Sequence, residues 1–339
     1  MSLDTFFADP DNNRWVNAQS GSTVAWEQSA GPGDPEPLDL GPDFRTYVDQ
    51  SGGQTIVIPN GTYSAGLLAD ATHDDWLILK AETPGNVVIN ERLSMEGCSR
   101  IVFVGLKFER ELRLHAGSGW DNGNDRIISW YCQHSQAVGA GGGGENGIYW
   151  TAANARLAAV GCNIYDCYHD GIKQYSSDSI VQGCRIWNVY DPQNDIDPQT
   201  AKHNDTIQIE TGNNIQILDS TLGLDLNGDP VKEGHVQIAS EPSGSGVSAS
   251  LERVWVGQSG SFGIMIDGKN NELPCHVDLT DIRSWNNTYG AYEIQNGATA
   301  NTTNVLETAP SGSDVAPDTT WREANSYESY NSWIAGVSW

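Results

Sequence analysis

What the chain has little of narrows its function first. Lysine is scarce: Lys80, Lys107, Lys173, Lys202, Lys232 and Lys269 are all there is in 339 residues. With arginine, the basic total is 18 against 44 acidic residues, a formal charge of −26. Nucleic acid is held by clustered Lys and Arg, so this balance excludes a phosphate-backbone binder. It fits a salt-rich setting, where self-repulsion is screened. No run of about 18 apolar residues exists, so no membrane-spanning helix is expected. Six cysteines with no Cys-x-x-Cys pair exclude a disulfide scaffold and a zinc ribbon. Helical periodicity is missing between the apolar runs, which excludes βαβ units. The first ten residues have neither the basic nor the apolar region of a secretory signal. The expected location is therefore extracellular after processing, or virion-associated.

What is present is glycine (37), tryptophan (12) and abundant Asn, Asp, Ser and Thr, a composition that leans to an all-β, turn-rich chain. Short apolar runs carry it: Thr55-Ile-Val-Ile-Pro, Trp76-Leu-Ile-Leu, Val87-Val-Ile, Ile101-Val-Phe-Val and Ile127-Ile-Ser-Trp. A repeat underlies them. Gly147-Ile-Tyr-Trp-Thr, Gly171-Ile-Lys-Gln-Tyr, Thr206-Ile-Gln-Ile-Glu, His235-Val-Gln-Ile-Ala, Gly263-Ile-Met-Ile-Asp and Ala291-Tyr-Glu-Ile-Gln align. Their second residues, at 148, 172, 207, 236, 264 and 292, are separated by 24, 35, 29, 28 and 28 residues. A second series, Leu106, Cys132, Cys162, Cys184, Ser220, Val254 and Ile282, falls between them. A coil of this period built from several short strands, with loops of variable length, is a parallel β-helix. It places Cys132, Cys162 and Cys184 on one interior ladder as buried free thiols. Residues 1–45, with the Pro/Gly-rich segment Gly31-Pro-Gly-Asp-Pro-Glu-Pro37, read as an N-terminal arm or cap. Residues 46–305 read as the β-helix. Residues 306–339, ending in Trp321, Tyr327, Tyr330, Trp333 and Trp339, read as a cap over the last coil or a subunit contact. The chain is then a monomer or a homotrimer.

Alternate strand residues face opposite sides, so the aligned series separates into core and wall. Ile148, Ile172, Ile207, Val236 and Ile264 go inward, with Trp150, Gln174, Ile209, Ile238 and Ile266. The outward row is Tyr149, Lys173, Gln208, Gln237, Met265 and Glu293, with Thr151, Tyr175, Glu210, Ala239, Asp267 and Gln295 beside it. Aromatic faces stack on sugar rings and amides read hydroxyls, so Tyr149, Tyr175, Gln208, Gln237, Asp267 and Glu293 are candidate substrate-binding residues. His169, Asp170, His203, Asp205 and His235 precede these strands on adjacent coils. Together with Lys173 and Glu210 they are the candidate catalytic cluster. Crowding in a groove is expected to lower the Lys173 pKa and make it the base, with His203 as the alternative base. The oxygen-rich loop Asp191-Pro-Gln-Asn-Asp-Ile-Asp197 supplies Asp195 and Asp197 as candidate ligands for Ca2+, as does Asp225-Leu-Asn-Gly-Asp229.

Val48-Asp-Gln-Ser-Gly-Gly-Gln-Thr-Ile-Val-Ile-Pro-Asn-Gly-Thr-Tyr63 resembles the segment that opens the β-helix of pectate-lyase-like proteins and phage tailspikes. His203-Asn-Asp-Thr-Ile-Gln208 and Asn213-Asn-Ile-Gln-Ile-Leu-Asp219 resemble a coil of right-handed parallel β-helix proteins that act on uronic-acid polysaccharides. The resemblance implies a right-handed β-helix and a polysaccharide partner. Its expected activity is cleavage of an acidic polysaccharide by β-elimination, with a glycoside hydrolase or a non-catalytic tailspike or adhesin as the alternatives. The order His169-Asp-Gly, Asn204-Asp, Gly234-His-Val and Ile264-Met-Ile is similar to that of polygalacturonases. It lacks their paired Asp, second Gly and Arg-x-Lys, so that mechanism is not carried over. Tyr190-Asp-Pro192 likewise lacks the His of mannuronan epimerases.

Overall fold

The computed structural model describes residues 35–307 apart from 115–123, 137–145, 152–155, 188, 190–203, 224–234, 241–245, 258, 260, 270–272 and 286. Three parallel sheets of ten, ten and nine strands share its strands in strict rotation, so that each turn of the chain adds one strand to every sheet. The result is a right-handed parallel β-helix, the handedness that strand–crossover–strand connections adopt. The first sheet runs from Gln54–Ile58 to Thr299–Thr303, the second from Gly61–Tyr63 to Leu306–Glu307, and the third from Gly66–Ala69 to Gly290–Gln295.

A single residue turns the chain from the first sheet into the second. Gly105, Tyr131, Gly161, Gly183, Asp219, Arg253, Asp281 and Asn304 all have φ between 51° and 69°, the left-handed region. Each of their N–H groups down to Asp281 donates to the carbonyl that ends the next first-sheet strand, as Gly161 does to Gln182 and Asp219 to Glu252. The residue that follows each corner but the last is Leu106, Cys132, Cys162, Cys184, Ser220, Val254 or Ile282, the second series of the sequence. All of these are buried. The thiols of Cys132, Cys162 and Cys184 donate to Phe103 O, Ser129 O and Ala159 O of the preceding coil at 3.4, 3.2 and 3.3 Å. All six cysteines are free and buried. Burial pushes the Cys98 and Cys275 thiols up to about 11 and raises that of Cys167 further, which keeps them protonated and inert.

The interior is filled by the inward rows of the three sheets. At its start, Phe44 and then Tyr47 and Val48 of the one-turn helix Arg45–Val48 close the first coil and belong to the same core. Leu38 N donates to Val57 O and ties the preceding segment to the first strand of the first sheet. Of the expected C-terminal cap, Leu306–Glu307 is the last strand of the second sheet, and the rest lies outside the described residues. Among the described residues no helix is long and apolar enough to cross a membrane.

Candidate functional site

The register of the third sheet settles which residues share its outer face. Ser94, Arg113, Tyr149, Lys173, Gln208, Gln237, Met265 and Glu293 are direct neighbours on eight successive strands. The last six are the outward row read from the repeat. The inward residues Ile148, Ile172, Ile207, Val236 and Ile264 are fully buried, as are Gln174, Ile209, Ile238 and Ile266. Glycine at the head of two of these strands has a steric cause. A Cβ on Gly171 would stand 2.6 Å from Thr206 O, and one on Gly147 would stand 2.7 Å from Gly171 O. Arg113 and Ser94 were not found from the repeat. Glu111-Leu-Arg-Leu114 has the same alternation as Gly147-Ile-Tyr-Trp150, and that alternation was the available signal.

Neighbouring strands lie about 4.8 Å apart, so side chains of this row touch across coils. The Arg113 guanidinium sits 5.0 Å from the centre of the Tyr149 ring and the Lys173 ammonium 5.7 Å from that of Tyr175. The two tyrosine rings meet edge to face at 6.1 Å. Lys173 Nζ pairs with Glu210 Oε1 at 2.9 Å, and Arg113 Nε with Glu111 Oε1 at 2.6 Å. Gln208 Nε2 donates to Gln237 Oε1 at 2.8 Å. Farther along, Asp267 Oδ1 accepts from Lys269 N at 2.9 Å and from Asn296 Nδ2 at 2.7 Å.

The Lys173 pKa moves opposite to the sequence expectation. Burial works to lower it, but the hydrogen bond and charge of Glu210, followed by the charge of Asp170, outweigh that and raise it. At neutral pH it is an ammonium, not a free amine. Tyr149 is raised as well, by burial, against the opposing charges of Lys173 and Arg113, and stays a neutral phenol.

Two of the acidic members of the predicted cluster, Asp170 and Asp205, lie beneath the face. Both are fully buried, Asp170 at the turn that leads into the third sheet and Asp205 as the first residue of the strand Asp205–Ile209. A polar ladder runs through this turn. Glu111 Oε2 accepts from Asn146 N and Nδ2 at 3.0 and 2.8 Å. Asn146 Oδ1 accepts from Asp170 N at 3.2 Å, and Asp170 Oδ1 from Asp205 N at 2.9 Å. These carboxylates satisfy backbone donors of the adjacent coil that would otherwise be buried unpaired. The second oxygen of Asp170 lies 3.1 Å from His169 Nδ1, an arrangement that fixes the ring's orientation and leaves Nε2 as its other nitrogen. Lys173, Glu210, Asp170, His169, Tyr149 and Tyr175 are thus brought together around three successive coils. Gln208 and Gln237 continue the face, and Asp267 and Glu293 stand on its last two strands. The backbone of His235 is in its strand. His203, Asp195, Asp197 and the loop at 225–229 lie outside the described residues. Among the described residues no three His, Cys, Asp or Glu side chains converge as a metal-holding group.

No family model matches the chain, and no curated protein does. Solved structures similar to it include the pectate lyase Pel9A, at a TM-score of 0.44 and 12% identity over 82% of this chain and 78% of that one. The pectin methylesterase from Aspergillus niger gives 0.44 and 12% over 89% of this chain and 96% of that one. The Azotobacter vinelandii mannuronan C-5 epimerase AlgE4 A-module gives 0.31 and 10% over 84% and 99%. The similarity lies in the course of the chain.

Proposed function

We propose that the outer face of the third sheet binds a polysaccharide and that the Lys173 region cleaves it, with an acidic polysaccharide as substrate and β-elimination as the reaction. The observation that carries this reading is the row Arg113, Tyr149, Lys173, Gln208 and Gln237. It offers cation, aromatic, cation, amide and amide on successive strands, about 4.8 Å apart, along one face. β-Elimination needs a cation to neutralise the uronate carboxylate and a base for the proton next to it. An ammonium has three donors. Lys173 therefore keeps Glu210 and still has donors for a substrate carboxylate. His169, oriented by Asp170, is the base on this reading. His203 is the alternative base from the sequence.

The test is incubation with alginate, pectate and bacterial exopolysaccharides, with calcium and with EDTA, following reducing ends and the ultraviolet absorbance of the unsaturated product. Both signals together support the lyase. Reducing ends without absorbance mean hydrolysis. Neither signal, with polysaccharide still bound, means a binding protein. That last reading is favoured by the existing pairing of both cations, Arg113 with Glu111 and Lys173 with Glu210.

A further inference from the structure

The helix that closes the first coil is fastened to the first sheet through a histidine. In the second strand of that sheet, Thr72–Ala81, the pairing with Ser99–Val104 slips between Thr72 and Leu77. Residues 73–76 there stand opposite the single residue Arg100, and Arg100 Nη1 donates to His73 O at 2.7 Å. The segment that follows the helix rests on this bulge. Gly53 N donates to Trp76 O at 2.9 Å, and a Cβ on Gly52 would stand 2.2 Å from Asp75 O and 2.9 Å from the Cβ of His73. The His73 ring reaches back to the helix and donates to the carbonyl of Val48, its last residue. The other ring nitrogen, Nε2, is buried and has no hydrogen-bond partner. Nδ1 is therefore the donor, and Nε2 carries a bare lone pair.

We propose that His73 is an acid-sensitive latch: neutral, it holds the helix Arg45–Val48 against the first sheet, and protonated, it releases the helix from the end of the coil. A proton on Nε2 puts a charge and a second N–H at a buried place that offers them no partner. That is costly in the folded state and carries no such penalty once the ring meets water. Burial holds the His73 pKa below the ordinary imidazole value, against the hydrogen bond to Val48 and the charge of Asp49. The charged groups around the ring are Asp49 just past the helix, Arg100 on the neighbouring strand, and the exposed Asp74 and Asp75 on its own strand. Asp49 favours the charged ring but does not offset its burial. With the folded value lowered, the contribution of His73 is complete above the ordinary one and is lost as pH falls through it towards the folded one. Phe44, Tyr47 and Val48 belong to the core, and Gln54–Ile58 is the end strand of its sheet. Release therefore uncovers apolar residues together with a strand edge, the surface through which sheets associate.

The test is hydrogen exchange in the full chain, read by mass spectrometry in the peptide that spans residues 45–49. It is run at about pH 7.5 and about pH 5.5, on either side of the ordinary imidazole value, and rates are corrected for the intrinsic effect of pH on exchange. Protection is expected to fall several-fold at the lower pH in the wild type and to stay level in His73→Asn, whose amide keeps a donor for Val48 O and takes up no proton. Equal protection at both pH values in the wild type, or the same fall in His73→Asn, overturns the proposal. A second measurement needs no variant. The nitrogen resonances of the His73 ring, followed against pH in the wild type, are expected to titrate with the same midpoint as the loss of protection, and separate midpoints overturn the proposal as well.

Discussion

Lys173 keeps its proton because Glu210 is beside it, and that dependence is measurable. Removing the carboxylate in Glu210→Gln leaves burial opposed by weaker charges, so the Lys173 pKa is expected to fall. Its side-chain carbon resonance, followed against pH, reports this, and an unmoved titration contradicts the pairing. The sign for stability follows from the raised value: the pair's contribution is present below the ordinary lysine pKa and is lost as pH rises through the higher folded value. Activity that relies on the ammonium therefore shows no gain across the alkaline range below that value, whereas a free-amine base would produce one. The raised pKa was not legible in the sequence, because Glu210 aligns in a separate row and only the fold brings its carboxylate to 2.9 Å from the ammonium. The burial of Asp170 and Asp205 was hidden for a related reason. Alternation sorts the residues within a strand, but Asp170 is a turn residue with no fixed side, drawn inward by the Asp205 N–H of the next coil, and Asp205 opens its strand ahead of a register shift.

The coil is the element the sequence showed most clearly. Its aligned series matches the third-sheet register residue by residue because the inward positions are apolar on nearly every turn, Gln174 being the buried exception. The second series is the residue after each left-handed corner. Two changes test this construction. Ile207→Ala removes a fully buried side chain and is expected to cost about 2–5 kcal/mol in denaturant unfolding. Gly183→Val puts a β-branched residue at φ 61° and is expected to cost about 1–3 kcal/mol. A cost near zero for either places that residue outside the coil described. The sequence did not reveal that strands two to six of the first sheet are apolar on the outer face as well, where Val102, Ile128, Trp130 and Ile180 form a buried cluster separate from the core. Its runs, such as Ile101-Val-Phe-Val, are apolar throughout, and a continuous apolar run does not say what lies on its second face.

At the scale of the molecule, a formal charge of −26 on one chain opposes compactness until salt screens it. The melting temperature is expected to rise between low salt and about 1 M sodium chloride, where the screening length is about 3 Å; a flat response means that the charges are already neutralised within the fold. Two of the three long faces differ in character. One end of the first sheet is apolar and buried, while the third sheet keeps its mixed row partly open. The central claim is that this third-sheet face does the chemistry, and paired variants test it most directly. Turnover of the best polysaccharide is compared for the wild type, Lys173→Ala and Ser250→Ala, the last on the polar half of the first sheet. The expected result is a loss of at least about 10²-fold for Lys173→Ala with the melting temperature nearly unchanged, and full activity for Ser250→Ala. Full activity in a folded Lys173→Ala protein contradicts the account.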